Sequence, residues 1–277
     1  MPPPPSVVLG DFEISLIRDS CYWWDGGAYF GVVPKTLWSR KLAPDDLNRV
    51  PLAFNCYLIR TDEHTILIET GGGDKMDARA RERMKLPPGP EPLSVDPDSV
   101  DIVINSHLHW DHCGGNTILT PGGPVPAFPR ARYYAPRGEW EHAHERSVRD
   151  AVSYIDANYD PLLESGRMVL VDDGHEVIPG VKMHRAPGHN RDMMVITAES
   201  GGRTFCFLSD LVPTAAHVQP TWIPAFDLYP LEAIESRFQW LGAAAKGDWV
   251  CGFGHDSTVA FARITDDPKT HFSFVPL

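Results

Sequence analysis

The sequence predicts an α/β fold built in layers. Three observations carry that prediction. Short runs rich in β-branched and aromatic residues recur along the chain, three longer stretches between them carry helical signals, and a hydrophobic share of 43% with 22% charged residues leaves enough apolar material for a sizeable core.

In chain order, Val7 to Arg18 alternates apolar and polar residues and reads as an opening strand pair broken at Gly10-Asp11. Residues 21–50 carry Trp23, Trp24, Tyr29, Phe30 and Trp38 among Gly and Pro without a sustained period. They read as a long ordered loop whose aromatics pack against the core, against a second copy in a homodimer, or over a substrate. The runs Phe54–Arg60, Thr65–Glu69, Asp101–Asn105, Arg132–Ala135, Met168–Val171, Val181–Arg185, Met193–Thr197, Arg203–Leu208 and Trp249–Phe253 read as strands. Helices are expected at Lys75–Lys85, at Pro136–Asp150 with proline in the first turn, and at Leu231–Lys246, where Leu231, Ile234, Phe238 and Leu241 recur at helical spacing. Residues 86–98, rich in Pro, Asp and Gly, read as a surface loop inside a single domain spanning 1–277.

The charge balance is 25 Lys plus Arg against 37 Asp plus Glu, a formal net charge of −12, which argues against a nucleic-acid partner. No apolar run approaches the roughly 18 residues that cross a bilayer, so no membrane partner is expected. The Met1–Pro5 stretch has neither a basic nor an apolar leader segment. Five cysteines, without close CxxC spacing, fit reduced thiols in the cytoplasm.

The chemically informative stretch follows the run Asp101–Asn105: Ser106-His107-Leu108-His109-Trp110-Asp111-His112-Cys113-Gly114-Gly115. In an extended segment His107 and His109 project to the same side and can reach one metal ion. Asp111 and His112 come after the chain has begun to turn and aim at a second point. Gly114 and Gly115 permit close backbone packing. A closed structural zinc site would favour cysteine ligands, and Cys113 is the one thiol nearby, so a catalytic site is expected. Three further ligand-type residues stand at strand exits: His189 in Pro187-Gly188-His189, Asp210 in Ser209-Asp210, and His255 in Gly254-His255-Asp256.

The ordered series HxHxDH, PGH, SD and GHD resembles the metallo-β-lactamase superfamily of dinuclear metal-dependent hydrolases. That resemblance implies a four-layer αββα sandwich with the site at one edge of two sheets. It makes His107, His109 and His189 ligands of a first metal and Asp111, His112 and His255 ligands of a second, with Asp210 bridging. The cations would be two divalent ions per chain, zinc foremost, with Mn, Fe or Co also suited to His and Asp donors. Glu69 stands where the family usually carries Asp in Asp-Thr-Gly, so it would reach a ligand with a longer arm.

Asp111 and Asp210 are the expected catalytic carboxylates, and a hydroxide bridging the cations is the expected nucleophile. The stretch Gly31 to Lys35, Asn55 and the HLHWDHCGGN form are similar to the quorum-quenching lactonase and organophosphate-hydrolase branch, which implies a small-molecule lactone or carboxylic ester as substrate. Phosphotriester hydrolysis at the same site, or a non-catalytic metal-binding role, are the alternatives. Lactonases of that branch place a tyrosine three residues after the bridging aspartate; Pro213 stands there, leaving His217, Tyr229 or an aromatic of 21–50 as substitutes. His217 and Trp222, with Trp24 and Phe30, are expected to line an apolar substrate pocket.

Overall fold

Consecutive side chains in the central strands belong to different cores. Ile66 and Ile68 join one buried cluster and Leu67 another; Ile102 and Ile104 divide from Val103 in the same way, and Phe205 and Phe207 from Cys206. A period of two with both faces apolar produces a sheet covered on both sides.

The computed structural model describes residues 3–87, 89 and 93–277, so the first two residues of the Met1–Pro5 stretch and the middle of the 86–98 loop lie outside the described residues. The first half supplies β1 (Ser6–Leu9), β2 (Phe12–Asp25), β3 (Arg49–Arg60), β4 (Thr65–Ile68), β5 (Ile102–Ile104), β6 (Thr117–Thr120), β7 (Gly123–Pro126), β8 (Arg132–Pro136) and β9 (Met168–Val171). The second supplies β10 (His175–Ile178), β11 (Val181–Arg185), β12 (Met194–Ser200), β13 (Arg203–Phe207), β14 (Val250–Gly252), β15 (Ala262–Asp267) and β16 (His271–Pro276). Among the described residues one sheet runs β1-β2-β3-β4-β5-β8-β9, a second runs β10 to β16 in order, and β6-β7 form a separate hairpin.

The two sheets face each other through Ile14, Leu16, Tyr57, Ile59, Ile66 and Ile104 on one side and Met183, Ile196, Phe205 and Phe207 on the other. The outer face of the first sheet packs on Ala143 and Leu162 from helices, and that of the second on Trp240, Leu241 and Ala244. The result is the expected four-layer αββα sandwich.

Several expectations change. Residues 21–25 are not loop: they continue β2 and pair with Arg49–Ala53 of β3 past an irregularity after Arg18. Tyr22, Tyr29, Phe30 and Trp38 are buried within the chain with Val50, Leu52, Phe54 and Trp222. The helix expected at 75–85 is Ala78–Arg83, started where the Asp77 side chain accepts from the Ala80 N–H. The helix expected to reach Asp150 ends at His144, because the following Glu145–Asp150 stretch has Val148 as its one aliphatic residue and that side chain is fully exposed. The strands β6, β7, β10, β15 and β16 fall outside the predicted runs.

The helix Pro230–Gly247 forms as expected but buries a different face. Leu231 and Phe238 are 77% and 42% exposed, while Ala233, Arg237, Trp240, Leu241 and Ala244 face inward. Ala233 meets Gly188, where an added Cβ would stand 2.6 Å from the Ala233 Cβ, so the contact admits only small residues. The buried Arg237 guanidinium donates to the Leu211, His217 and Trp222 carbonyls and so holds the loop after β13.

Candidate metal centre

Strand exits place every expected ligand. His107 and His109 follow β5, and Asp111 and His112 lie on the short helix Trp110–Cys113. His189 sits in the turn between β11 and β12, Asp210 follows β13 in a tight turn opened by Ser209 at positive φ, and His255 follows β14. Close backbone approach holds the first loop in place: a Cβ on Gly73 would lie 2.1 Å from the Gly114 carbonyl oxygen.

These side chains converge as two triads. Ligand atoms of His107, His109 and His189 all lie within 4.8 Å of one another, as do those of Asp111, His112 and His255. His109 Nδ1 faces His189 Nε2 at 3.0 Å, and His112 Nε2 faces His255 Nε2 at 3.2 Å. Four ligands at about 2.1 Å around one tetrahedral cation stand roughly 3.4 Å apart, so these separations match nitrogens that share an ion. Asp210 touches both triads with different oxygens: Oδ2 is 3.5 Å from His189 Nε2, and Oδ1 is 3.3 Å from His112 Nε2 and 2.9 Å from His255 Nε2. His107 Nε2 is buried with no hydrogen-bond partner among the described residues, which suits an atom that would bind a metal. The donor set, five imidazoles and two carboxylates, suits a borderline divalent cation.

Each histidine is held from behind by its other nitrogen. His107 Nδ1 meets Ser106 Oγ at 2.9 Å, His189 Nδ1 donates to Asp227 Oδ1 at 3.0 Å, and His255 Nδ1 donates to the Ala53 carbonyl at 2.9 Å. His112 Nδ1 lies 3.5 Å from Glu69 Oε1, and His109 Nε2 contacts the Asn190 side-chain amide at 3.3 Å. Glu69 thus comes near His112, one of the expected ligands; the same carboxylate accepts from the Ser106 N–H at 3.0 Å. Asn190, Asp227 and, behind Asn190, Tyr154 and Glu139 had no signal in the sequence beyond the adjacency of Asn190 to His189.

Burial opposes charge throughout the cage, and the partners decide which groups keep it. Burial, reinforced by the neighbouring histidines, pushes His107 and His109 well below the usual histidine range. Burial also works against charge on His112 and His189, but Asp210 with Asp111 lifts His112, and Asp210 with Asp227 lifts His189. For Asp210 the surrounding His255, His112 and His189 outweigh burial and hold the carboxyl well below its ordinary range. The cage therefore stabilises an anion at its centre and positive charge around it.

Above the centre lies a cavity of about 450 Å³, onto which His109, Asp111, His189 and Asp210 open. Its walls are Tyr22, Trp24, Tyr29, Met84, Trp110 and Phe226, with Val152 and Arg149 toward the mouth. Of the expected pocket residues, Trp24 is on the wall, whereas Phe30, His217 and Trp222 are behind it. His217 is fully buried, stacked on Phe30 at 4.6 Å, and held between Thr214 Oγ1 at 2.8 Å and the Tyr29 carbonyl at 2.9 Å. Trp222 packs edge-on against Phe30. Tyr29 stands between the cavity and His217, and Phe30 packs behind with Trp38 and Trp222 against it. Tyr229 lies under the Arg191 guanidinium and is absent from the cavity lining, and Pro213 offers no donor. Tyr29, one of the 21–50 aromatics offered as a substitute for the lactonase tyrosine, and Tyr22, which was not named, both line the cavity, with the Tyr22 hydroxyl 3.1 Å from His255 Nδ1.

Residues 49–255 match the family model described as the metallo-beta-lactamase superfamily. The chain belongs to the metallo-beta-lactamase superfamily. Within it, an N-acyl homoserine lactonase of Bacillus cereus is 27% identical over 179 residues, covering 58% of this chain and 64% of that protein. The chain thus spans slightly under two thirds of the length of the curated lactonases that it matches. A probable metal-dependent hydrolase from Staphylococcus aureus superposes with a TM-score of 0.87 at 26% identity over 98% of this chain and 99% of that one. A dizinc quorum-quenching lactonase in complex with its product superposes with a TM-score of 0.77 at 18% identity over 99% and 97%, a likeness of fold.

Proposed function

We propose that the chain is a dinuclear metal-dependent hydrolase that opens a lactone or carboxylic ester of a small, largely apolar molecule. The observation that carries this reading is Asp210, whose two oxygens reach two different triads of ligand-type side chains, which a third group, Glu69 with His107 and His112, overlaps. His107, His109 and His189 would hold one cation, Asp111, His112 and His255 the other, and Asp210 both. Two divalent cations supply Lewis acidity and an ionised water at neutral pH.

The chain's own residues do the rest. Glu69, Asp227, Asn190 and the Ala53 carbonyl fix the imidazoles, so no reorganisation is needed as charge develops. Trp24, Met84, Trp110 and Phe226 exclude water from one side and receive an acyl tail. The curated lactonase relatives and the hydrolase neighbour support this chemistry. Zinc as the ion and the cytoplasm as the compartment belong to the same proposal; all five cysteines are free, and no described helix is long and apolar enough to cross a membrane.

The test is a panel of lactones, carboxylic esters, thioesters and paraoxon offered to protein of measured metal content. Lactone or ester turnover with about two metals per chain is expected. Paraoxon as the fastest substrate would reassign the protein to phosphotriesters, and metal binding without turnover of any substrate would leave a non-catalytic binder.

A further inference from the structure

The site holds a pair of buried tyrosines that the ligand cage does not require. The Tyr22 and Tyr29 hydroxyls are 2.6 Å apart, and the Tyr22 hydroxyl is 3.1 Å from His255 Nδ1. Both rings are fixed, Tyr22 by stacking on Phe54 at 4.2 Å and Tyr29 by its edge contact with Phe226 at 5.2 Å. Both residues also line the cavity onto which Asp210 opens.

The direction of the protons along this string follows from its far end. His255 Nδ1 lies 2.9 Å from the Ala53 carbonyl oxygen, which can only accept, so Nδ1 carries the ring proton. An N–H cannot accept from Tyr22, so the Tyr22 oxygen is the acceptor in that contact. Either hydroxyl can donate to the other across their 2.6 Å contact, and in either direction one proton of the pair is left without an acceptor among the described residues. When Tyr22, already tied to His255, gives its proton to the Tyr29 oxygen, that remaining proton is the one on Tyr29. A buried donor without a partner is costly, and this one belongs to a residue on the cavity wall.

We propose that Tyr29 donates its hydroxyl proton in a hydrogen bond to the carbonyl oxygen of the bound substrate, and that Tyr22 is the positioning residue that aims it. Among the described cavity-lining residues the other hydroxyl is that of Ser153. The contact would select substrates that present an acceptor oxygen above the ligand cage with their apolar tail along Trp24 and Phe226. This inference rests on the ester or lactone reading for the identity of the acceptor, but the hydrogen bond itself can be tested without turnover.

The probes are γ-decanolactone as substrate and the lactam 5-hexyl-2-pyrrolidinone as a carbonyl ligand that resists opening. In Tyr29→Phe, lactam affinity measured by calorimetry on metal-loaded protein should fall about tenfold, and kcat/KM for the lactone by at least as much, with metal content per chain unchanged. The infrared stretch of the bound lactam carbonyl should move to higher frequency in Tyr29→Phe than in the parent, which a purely structural role of the ring would not produce. Tyr22→Phe should show the same changes at about a third of the size. Unchanged affinity and unchanged frequency in Tyr29→Phe would overturn the proposal, as would loss of metal from that variant, a larger effect in Tyr22→Phe, or a parent that does not bind the lactam. A parent that binds the lactam but opens no lactone would defeat the functional reading instead, leaving the affinity and infrared comparisons to decide on Tyr29.

Discussion

Five histidines converge beneath the cavity from the exits of three strands, three of them after β5, whereas much of its inner aromatic wall comes from the single stretch Tyr22 to Tyr29, folded as the end of β2 and one helical turn. The floor is polar and charged, with each imidazole fixed from behind by a named partner. The wall is apolar, held by ring packing and by one string of hydroxyls. The difference is one of redundancy. A wall residue shares its work with neighbouring rings, but Asp210 contacts His189 of one triad and His112 and His255 of the other.

The sharpest way to expose that difference is to remove the connection. Asp210→Ala should lower kcat/KM on any substrate of the parent by about three orders of magnitude, because in the proposed centre this one carboxylate would serve both cations. Metal analysis of the purified variant should give fewer than two ions per chain. Retained turnover at full metal content would sink the bridging role.

A smaller effect is expected one layer out. Asp227 is fully enclosed and accepts from His189 Nδ1 at 3.0 Å, while its Oδ2 has no partner among the described residues. Asp227→Asn keeps the shape but loses the charge that orients and polarises the imidazole. Metal affinity, measured by competition with a chromophoric chelator, should fall about 10- to 100-fold with little change in the fold. An unchanged affinity would mean that the floor is as redundant as the wall.

The convergence of the floor was legible in the sequence because metal chemistry admits few residue types and backbone geometry restricts their spacing. The alternate placement of His107 and His109, and the strand exits at His189, Asp210 and His255, follow from local pattern alone. Support for these residues was not legible, since it arrives from far along the chain: Asp227 from 38 residues beyond His189, and Tyr22 from 233 residues before His255. The wall was misread for a related reason. An aromatic-rich segment signals packing, but only tertiary pairing with β3 decides that Trp24 and Tyr29 face the cavity while Phe30 and Trp222 stand behind. The helix Pro230–Gly247 shows the same limit, because Gly188 and the carbonyls that Arg237 binds select its buried face over the more apolar stripe.

The behaviour of His217 with pH tests whether the rear of the wall is structural, as its placement indicates. Its Nε2 faces the Tyr29 carbonyl, an obligate acceptor, so Nε2 carries the proton and Nδ1 accepts from Thr214 Oγ1. Burial first, and the Arg237 charge second, push this histidine from the ordinary 6.5 down to about 3. The unfolded chain therefore binds a proton at His217 over the interval from 6.5 to about 3, in which the folded chain does not. Its contribution to stability is complete above the unfolded pKa and is lost as pH falls toward the folded one, at about 1.4 kcal/mol per pH unit. His217→Gln removes the titration and keeps a side-chain N–H for the Tyr29 carbonyl. Urea unfolding of metal-free parent and variant should show the parent more stable at pH 7.5, with the gap closing by about 2 kcal/mol on descent to pH 5. The histidines of the proposed metal centre are common to both proteins and cancel in the difference. A gap that does not change with pH would mean that His217 can take up a proton in the folded state, which a residue sealed between Phe30, Thr214 and the Tyr29 backbone should not do.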